Sequence, residues 1–325
     1  MFNSRPPVIF SGTGSEYLAL DICNYLDLPV GKADTTPFPN GECQIRINDD
    51  VRERDVFVVL SLSRPNVNDK CMELLLWGDA LRRASVSRIT AVLPYFAYAR
   101  QDRKSAGRTP ISARVLCDLI QSAGFDRVLT MDLHAPQIQG FFANRVLLDH
   151  LDASSLFAKC VKQLIGDGLT NAVVLSPDIG NMKKIDRYRQ HFPPEIGMAI
   201  IDKRRYADGR VEPVGIIGDV EGKNIILCDD IIATAGTMRK AIDYATQHGA
   251  ASEKDQRFIP MATHGEFVGK AWENLSHPKI TEVYVTDTII QVDERAHILK
   301  TGSLFARAIQ RIHNGRSISA LLNQS

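Results

Sequence analysis

Short apolar runs alternate with amphipathic stretches along most of the chain. The apolar runs predict buried strands over Val56–Leu60, Ile89–Leu93, Val128–Met131, Ala172–Leu175, Asn224–Cys228 and Val283–Val285. Apolar residues at helical spacing predict helices over Asp69–Ala84, Ile111–Ala123, Ser154–Ile165 and Gly236–Gln247. Continuous apolar strands that alternate with such helices are typical of parallel sheets covered on both faces. The pattern therefore predicts an α/β fold.

The distribution of the apolar runs predicts two domains. Three runs lie in each half of the chain, which indicates two similar doubly wound parallel-sheet domains, and 325 residues suit two domains of ordinary size. We place the boundary in the polar stretch before Ser154, so that the domains cover residues 1–150 and 151–302. A last helix is predicted over Ser303–His313, and we expect the segment 303–325 to pack back on the first domain.

Composition excludes several classes of protein. The chain has 39 Lys and Arg against 38 Asp and Glu, whereas a protein that binds nucleic acid by neutralising phosphates usually has a larger basic surplus. No run approaches the roughly 20 apolar residues of a membrane-spanning helix, and we see no apolar signal-peptide core. The six cysteines form no C-x-x-C pair, as expected of reduced thiols. We expect a cytoplasmic protein without nucleic-acid or membrane partners.

The strongest chemical signal follows the run that ends at Cys228. Two carboxylates, Asp229 and Asp230, are predicted to end the strand, and a small turn with two hydroxyl groups then begins a helix. This turn consists of Ala233, Thr234, Ala235, Gly236 and Thr237. Backbone N–H groups at a helix N-terminus suit a phosphate monoester, and paired carboxylates suit sugar hydroxyls or Mg²⁺. Asp at a strand end and Thr as a helix cap explain each feature separately, but their combination favours a sugar-phosphate site.

Three other polar segments are chemically unusual. The turn Thr36–Glu42 displays Phe38 beside Asn and Glu side chains that suit a nucleotide base, although a plain surface turn also fits. The segment Pro94–Arg108 combines aromatic residues with dense positive charge, as a purine with a polyphosphate tail requires, and its alternative is a solvated basic loop. His134 follows a predicted strand with Asp132 nearby, which suits an oriented metal or phosphate ligand.

These segments resemble those of a known enzyme family. The turn after Asp230 is similar to the phosphoribosyl-pyrophosphate loop shared by type I phosphoribosyltransferases and ribose-phosphate pyrophosphokinases. The segments Tyr98–Asp102 and Asp132–Phe142 resemble the ATP half of the pyrophosphokinases, and type I transferases lack them. The chain is therefore identified as a member of the pyrophosphokinase family. The resemblance implies a type I phosphoribosyltransferase-like fold and transfer of the diphosphoryl group of Mg-ATP to the C1 hydroxyl of ribose 5-phosphate, which gives 5-phosphoribosyl 1-pyrophosphate and AMP.

The resemblance also implies roles for individual residues. ATP would be bound by Phe38, Asn40, Gly41, Glu42, Arg100, Gln101, Asp102 and His134. Ribose 5-phosphate would be bound by Asp229, Asp230, Ala233, Thr234, Ala235, Gly236 and Thr237, and Mg²⁺ by His134 and Asp178. Lys203 and Arg205 would be catalytic, in a basic loop that closes over the active site. Without the resemblance, that loop is a solvated turn and Asp178 is a turn residue.

Assembly and regulation follow from the same resemblance. It implies a homo-oligomer, a hexamer built from dimers, with an allosteric nucleotide and phosphate site whose candidate residues are Arg52, Ser85, Arg108, Ser317 and Ser319. Asp50 stands where many phosphate-activated members have Ser. Because a carboxylate repels phosphate, we expect a weak or altered dependence on inorganic phosphate.

Two departures from the family pattern keep alternatives open. Ala233 replaces an Asp, and Asn181 replaces a Gly. They favour one alternative, a catalytically silent regulatory homologue that assembles with active subunits. A separate alternative is a type I phosphoribosyltransferase, which would leave the ATP segments unexplained. The segment Ser11–Glu16 looks like the start of a dinucleotide-binding fingerprint, but it lacks the third Gly and is predicted to be a tight strand-to-helix turn.

Overall fold

The chain folds into two compact units. The computed structural model describes residues 5–143, 146–177, 187–188, 190–205, 211–291 and 293–322. Unit 1 contains the chain up to Asp152, together with Thr288–Ile290 and the chain from Lys300 onward, and unit 2 contains Ala153–Asp287 and Gln291–Leu299. Each unit is built around its own sheet, which is parallel in unit 1 and parallel except for one edge pair in unit 2.

Unit 1 has a five-stranded sheet in the order β1-β4-β5-β6-β7, and every neighbouring pair is parallel. Its strands are β1 (Val8–Ser11), β4 (Asp55–Val59), β5 (Arg88–Leu93), β6 (Arg127–Met131) and β7 (Leu147–Leu151). A separate antiparallel hairpin consists of β2 (Ala33–Pro37) and β3 (Cys43–Ile47). The sheet is apolar on both faces: β4, for example, is buried along its whole length.

Helices cover the sheet of unit 1 and are numbered along the whole chain. They are α1 (Glu16–Leu26), α2 (Val67–Arg83), α3 (Ser112–Ser122), α7 (Gly302–His313), α8 (Ser319–Leu322) and a 3-10 helix (Pro136–Phe141). The C-terminal helix α7 packs against α1, and both bury apolar side chains such as Leu18 and Phe305. Trp77 of α2 is fully buried in the core, 5.1 Å from the ring of Phe10.

Unit 2 has a seven-stranded sheet in the order β10-β9-β8-β11-β12-β13-β14. Its strands are β8 (Ala172–Ser176), β9 (Gly197–Arg205), β10 (Val211–Ile217), β11 (Asn224–Ile232), β12 (Phe258–Gly265), β13 (Tyr284–Thr286) and β14 (His297–Leu299). Its helices are α4 (Ser154–Gly166), α5 (Gly236–Gln247) and α6 (Ala271–Leu275). The chain leaves β8 in one direction to form β9 and returns on the other side as β11, so this sheet is doubly wound.

Each unit contains more strands than the three predicted. All six apolar runs form strands, but the central strand β12 was missed because it contains Pro260, which pairs with Leu227 of β11. Proline normally indicates an edge strand or no strand. The charged residues up to Arg205 also belong to a strand, β9, so the interpretation of this part of the segment as a solvated turn is wrong. Residues 206–210 of the segment lie outside the described residues. None of the helices in the described part of the chain is long and apolar enough to cross a membrane.

Candidate active site

The predicted sugar-phosphate loop lies where β11 ends, between the neighbouring strands β8 and β12. In a parallel sheet, ligands bind beyond this end of the strands. Asp230 is only 6% exposed and Asp229 is half-buried, and the Asp230 N–H donates to the Asp229 carboxylate at 2.9 Å. The two carboxylates do not end the strand as expected, because β11 continues to Ile232, which pairs with Gly265.

The turn between β11 and α5 is held by hydrogen bonds to its backbone carbonyls. The carbonyl of Ala233 accepts the Val268 N–H at 3.0 Å, and the carbonyl of Thr234 accepts the Asn274 side-chain amide at 2.8 Å. Ala235 has a left-handed conformation with φ of 57°, directly before the first residue of α5. Because the contact at position 233 uses a main-chain carbonyl, it does not depend on the side chain, and Ala in place of Asp keeps it.

The side chains of this turn are partly open to solvent. Thr234 and Thr237 are not fully buried, and neither is Gly236. A Cβ atom built at Gly236 would lie 3.7 Å from the Thr234 hydroxyl, which is an ordinary contact. Packing within the described residues therefore does not require glycine here.

The hairpin of unit 1 presents the first predicted ATP segment at its tip. The Phe38 N–H donates to the Glu42 carbonyl at 2.7 Å, and the Gly41 N–H donates to the Phe38 carbonyl at 2.9 Å. The Asn40 side chain accepts the Glu42 N–H at 3.2 Å, and Gly41 has φ of +90°, which suits glycine. These contacts close a tight turn that leaves the Phe38 ring 43% exposed.

The second predicted ATP segment follows β5. Tyr98 has a left-handed conformation with φ of 60°, and its carbonyl accepts the Gln101 N–H at 2.8 Å. The Gln101 side-chain oxygen accepts the Ser112 hydroxyl at 2.6 Å, which ties the turn to the start of α3. The Tyr98 hydroxyl donates to Asn68 in the first turn of α2. Arg100 is exposed on this turn.

The third segment lies beside the second. The Gln137 side-chain amide donates to the Asp102 carboxylate at 2.7 Å, so the structure brings the basic segment and the His134 segment together. The Asp132 N–H donates to the Leu151 carbonyl at 3.0 Å, and the Leu133 N–H donates to His150 Nε2 at 2.8 Å. His134 follows this turn with an exposed side chain. Sequence reasoning missed Gln137 and His150 as contributors to this region.

The remaining predicted catalytic and metal-binding residues are described only in part. Lys203 is half-buried on β9, opposite Pro213 of β10. The Arg205 side chain, Asp178 and Asn181 lie outside the described residues. The described residues contain no group of three or more His, Cys, Asp or Glu side chains that could hold a metal ion.

Comparison with known proteins identifies the family. Residues 7–124 match the N-terminal domain of ribose phosphate pyrophosphokinase, and residues 190–323 match the phosphoribosyl synthetase-associated domain. A ribose-phosphate pyrophosphokinase of Wolinella succinogenes is 42% identical over 317 residues, which cover 96% of this chain and 98% of that protein. The chain belongs to the ribose-phosphate pyrophosphokinase family. A Fusobacterium nucleatum member is 42% identical over 327 residues, covering 99% of this chain and 100% of the relative.

A solved structure supports the same assignment. The crystal structure of phosphoribosylpyrophosphate synthetase from Mycobacterium smegmatis superposes with a TM-score of 0.84 at 35% identity, over 96% of this chain and 100% of that chain. The predicted α/β fold class is therefore confirmed. The family assignment covers both units, because the two family models together match parts of each.

The short glycine-containing turn after β1 is not a nucleotide-binding fingerprint. The Thr13 N–H donates to the Glu73 carboxylate at 2.9 Å, and the Gly14 N–H donates to the Glu16 carboxylate at 3.1 Å. A Cβ atom at Gly12 would lie 2.9 Å from Glu73 Oε1. Because carboxylates already accept these N–H groups, the turn is structural.

Hydrogen bonds link the segments that contain two pairs of the candidate allosteric residues. The Glu53 N–H, next to Arg52, donates to the Ser85 carbonyl at 2.9 Å. The Ser319 N–H donates to the Ser317 hydroxyl at 3.2 Å. Arg108 is exposed in the basic segment with φ of 63°. The structure thus places Arg52 beside Ser85, and Ser317 beside Ser319.

Burial makes two of the cysteine thiols poor nucleophiles. All six cysteines are free thiols, as expected. Burial raises the pKa of Cys71 to about 11 and, with nearby Glu282, the pKa of Cys160 to about 12. Thiols with such pKa values are protonated at neutral pH and are poor nucleophiles.

Proposed function

We propose that this chain transfers the diphosphoryl group of Mg-ATP to the C1 hydroxyl of ribose 5-phosphate. The C1 hydroxyl oxygen attacks the β-phosphorus and loses its proton to solvent, the bond from that phosphorus to the α–β bridging oxygen breaks, and AMP leaves. The observation that carries the proposal is the loop between β11 and α5, with two buried or half-buried carboxylates before it and a helix N-terminus after it. Membership of the ribose-phosphate pyrophosphokinase family supports the same reaction.

The loop in unit 2 supplies the chemistry that ribose 5-phosphate needs. The N-terminus of α5 attracts the 5-phosphate through its N–H groups and partial positive charge, and the hydroxyls of Thr234 and Thr237 add donors. Asp229 and Asp230 would accept hydrogen bonds from the ribose hydroxyls. The complete proposed set is Asp229, Asp230, Ala233, Thr234, Ala235, Gly236 and Thr237.

Unit 1 supplies the chemistry that ATP needs. The half-exposed ring of Phe38 offers a stacking surface for adenine, and the exposed guanidinium of Arg100 suits the phosphates. The complete proposed set is Phe38, Asn40, Gly41, Glu42, Arg100, Gln101, Asp102 and His134. Asp102 also accepts the Gln137 amide, so its role includes positioning of the His134 segment.

Two cations would stabilise the transferred group. Charge accumulates on the phosphate oxygens during diphosphoryl transfer, and a fixed cation nearby lowers that barrier. Lys203 lies near the end of β9, where strand pairing with β10 fixes its backbone. Arg205, two residues further along β9, would grip two oxygens through its planar fork.

Magnesium fits the proposed site as an ion that arrives with the nucleotide. Mg²⁺ usually keeps several waters and takes only one or two protein ligands besides substrate phosphates, so the lack of a larger ligand cluster among the described residues is compatible with it. His134, exposed on its turn, and Asp178 are the proposed ligands. When bound, the ion would neutralise phosphate charge and polarise the attacking hydroxyl.

We also propose a cytoplasmic homo-oligomer, a hexamer built from dimers. Its allosteric site for nucleotide and phosphate would use Arg52, Ser85, Arg108, Ser317 and Ser319. The support is family membership, together with the short hydrogen-bonded links that join the turn at Arg52 to Ser85 and Ser317 to Ser319.

The test is release of AMP by the purified chain from ATP and ribose 5-phosphate, without any nucleobase. We expect AMP in equal amount to the ribose 5-phosphate consumed. Activity only with a nucleobase and phosphoribosyl pyrophosphate would show a type I phosphoribosyltransferase instead. An inactive chain that binds stably to an active paralogue would show the silent regulatory homologue.

A further inference from the structure

The turn before His134 is attached to the neighbouring strand β7 by two consecutive backbone N–H groups. Asp132 donates to the carbonyl of Leu151 at 3.0 Å, and Leu133 donates to the ring of His150 at 2.8 Å. Asp132 has φ of +39°, in the left-handed region that a non-glycine residue adopts at a cost. A turn with such a residue persists only where surrounding contacts hold it, and these two hydrogen bonds do so.

Unit 2 repeats the first of these hydrogen bonds without the histidine. There the Asp287 N–H, at the end of β13, donates to the Leu299 carbonyl of β14 at 3.1 Å. Leu299 pairs with the residue before Asp287, just as Leu151 pairs with the residue before Asp132. The residue before Leu299 is Ile298, whose side chain contains no acceptor. The first hydrogen bond therefore belongs to the repeated fold, and the bond to His150 is an addition in unit 1.

The chemistry of the second bond is specific. A ring nitrogen accepts an N–H only through its lone pair, so His150 is neutral in this contact and carries its proton on Nδ1. Leu133 is only 6% exposed, which means that water cannot readily replace the acceptor for its N–H group. An unsatisfied buried N–H costs more than an exposed one. The bond therefore fixes the peptide between Asp132 and Leu133, one residue before His134.

We propose that His150 is a positioning residue for the ATP-side turn, which it holds through the Leu133 N–H so that His134 is aimed at the nucleotide and its metal ion. The proposal rests on the proposed function, since it assigns His150 to the ATP half of that reaction. His150 itself touches neither substrate in this account. Its effect is transmitted through one backbone hydrogen bond.

Two substitutions separate the acceptor from the shape of the ring. His150→Phe keeps a ring of similar size but removes the acceptor, and we expect the KM for ATP to rise about tenfold, with the KM for ribose 5-phosphate unchanged. His150→Gln keeps an acceptor oxygen close to the place of Nε2, and we expect a KM for ATP within about twofold of the wild type. An unchanged KM for ATP in His150→Phe, or an equal loss in both variants, overturns the proposal.

A second histidine supplies the control. His277 in unit 2 accepts the Lys279 N–H at 3.1 Å through Nδ1, and burial, aided by Arg239, lowers its pKa. His277→Phe removes the same kind of hydrogen bond far from the His134 segment in sequence. We expect it to lower the thermal midpoint without raising the KM for ATP. If His277→Phe raises the KM for ATP as much as His150→Phe does, the rise is a general effect of destabilisation and the proposal is overturned.

Hydrogen exchange tests the contact without turnover. The Leu133 amide should exchange slowly in the wild type and in His150→Gln, and at least tenfold faster in His150→Phe. Equal protection in all three proteins contradicts the proposal, even if the wild type makes no AMP. A wild type without AMP release refutes the proposed function alone. If His150→Phe does not fold, hydrogen exchange of the Leu133 amide in His150→Gln tests the proposal. Protection as in the wild type supports the role of the acceptor, and lost protection contradicts it.

Discussion

The two units use equivalent hairpins in different ways. In each unit an antiparallel hairpin precedes the strand that lies beside the unit's first strand: β2–β3 in unit 1 and β9–β10 in unit 2. The hairpin of unit 1 forms a sheet of its own, whereas β9 pairs with β8 and extends the main sheet of unit 2. Both hairpins carry proposed site residues, Phe38–Glu42 at the tip of one and Lys203 near the tip of the other.

The difference has a physical cause in the strands themselves. β9 contains the apolar residues Ala199 and Ile201, which are 1% and 0% exposed in the core of unit 2. β2 is polar, and none of its residues is fully buried. Burial of apolar area stabilises β9 in the main sheet, and β2 lacks that contribution. A hairpin fixed in a sheet suits the precise placement of a cation, and a separate hairpin suits a surface for an adenine ring.

The largest effect is expected at the hairpin of unit 2. Lys203→Ala should lower kcat about 100- to 1,000-fold with little change in thermal stability, because it removes a cation from the transferred phosphates. Steady-state AMP release and a thermal melt measure the two quantities. Lys223→Ala is the matched control, since the half-buried Lys223 pairs with the exposed Asp219 at 2.8 Å in the same unit. Near-normal turnover in Lys203→Ala would refute the role of Lys203.

The phosphate loop of the same unit should control the second substrate. Asp229→Asn removes a charge that would accept ribose hydroxyls, so we expect the KM for ribose 5-phosphate to rise about 10- to 100-fold while the KM for ATP stays the same. Initial rates with each substrate varied in turn measure both constants. Asp219→Asn, at an exposed acid of unit 2, should change neither. An equal rise in both KM values would remove the assignment of Asp229 to ribose.

The hairpin of unit 1 should show the opposite selectivity. Phe38→Ala removes a ring that would stack on adenine, and we expect the KM for ATP to rise about 2- to 10-fold with the KM for ribose 5-phosphate unchanged. The same rate measurements apply. Tyr25→Ala, which removes a 60% exposed ring of α1, is the control. If Phe38→Ala changes only the KM for ribose 5-phosphate, the contrast between the two hairpins is wrong.

The smallest effect is expected at Asp50, which follows the hairpin of unit 1, and concerns stimulation by inorganic phosphate. The Asp50 carboxylate accepts the Arg52 N–H at 3.2 Å, which places a negative charge beside a proposed phosphate ligand. We expect weak stimulation of the wild type by inorganic phosphate and a several-fold stronger one in Asp50→Ser, because a like charge is removed. Titration of both proteins with inorganic phosphate at fixed Mg²⁺ measures the stimulation of AMP release. Asp49→Ser, which removes an acceptor for the Lys32 N–H, is the control and should respond to phosphate as the wild type does. A strong requirement of the wild type for phosphate would contradict the expectation.

The strand and helix pattern could be predicted from the sequence where local rules agree with the fold. Each of the six apolar runs is a strand, and the helices over 112–122 and 236–247 lie where apolar spacing predicted them. Local rules failed at β12, because its buried proline lies inside the strand and pairs with Leu227 of β11. They failed at β9, because its charged end pairs with β10. Tertiary pairing decided both cases.

Part of the candidate site could be predicted from the sequence, and part could not. The phosphate loop is contiguous in sequence, so its residues can be recognised together from their order along the chain. His150 cannot, because it lies 17 residues from Leu133 and nothing local to either residue marks their contact. The register of β6 and β7, in which Met131 pairs with Leu151, brings them together.

The central claim is the identity of the transferred group, and ³¹P NMR of the reaction products tests it most directly. With ATP, Mg²⁺ and ribose 5-phosphate, the account predicts the resonance of AMP together with two coupled resonances of a pyrophosphoryl group on a sugar that keeps its 5-phosphate. Formation of ADP with a sugar bisphosphate would show transfer of one phosphoryl group and contradict the account, as would a spectrum in which ATP remains unchanged.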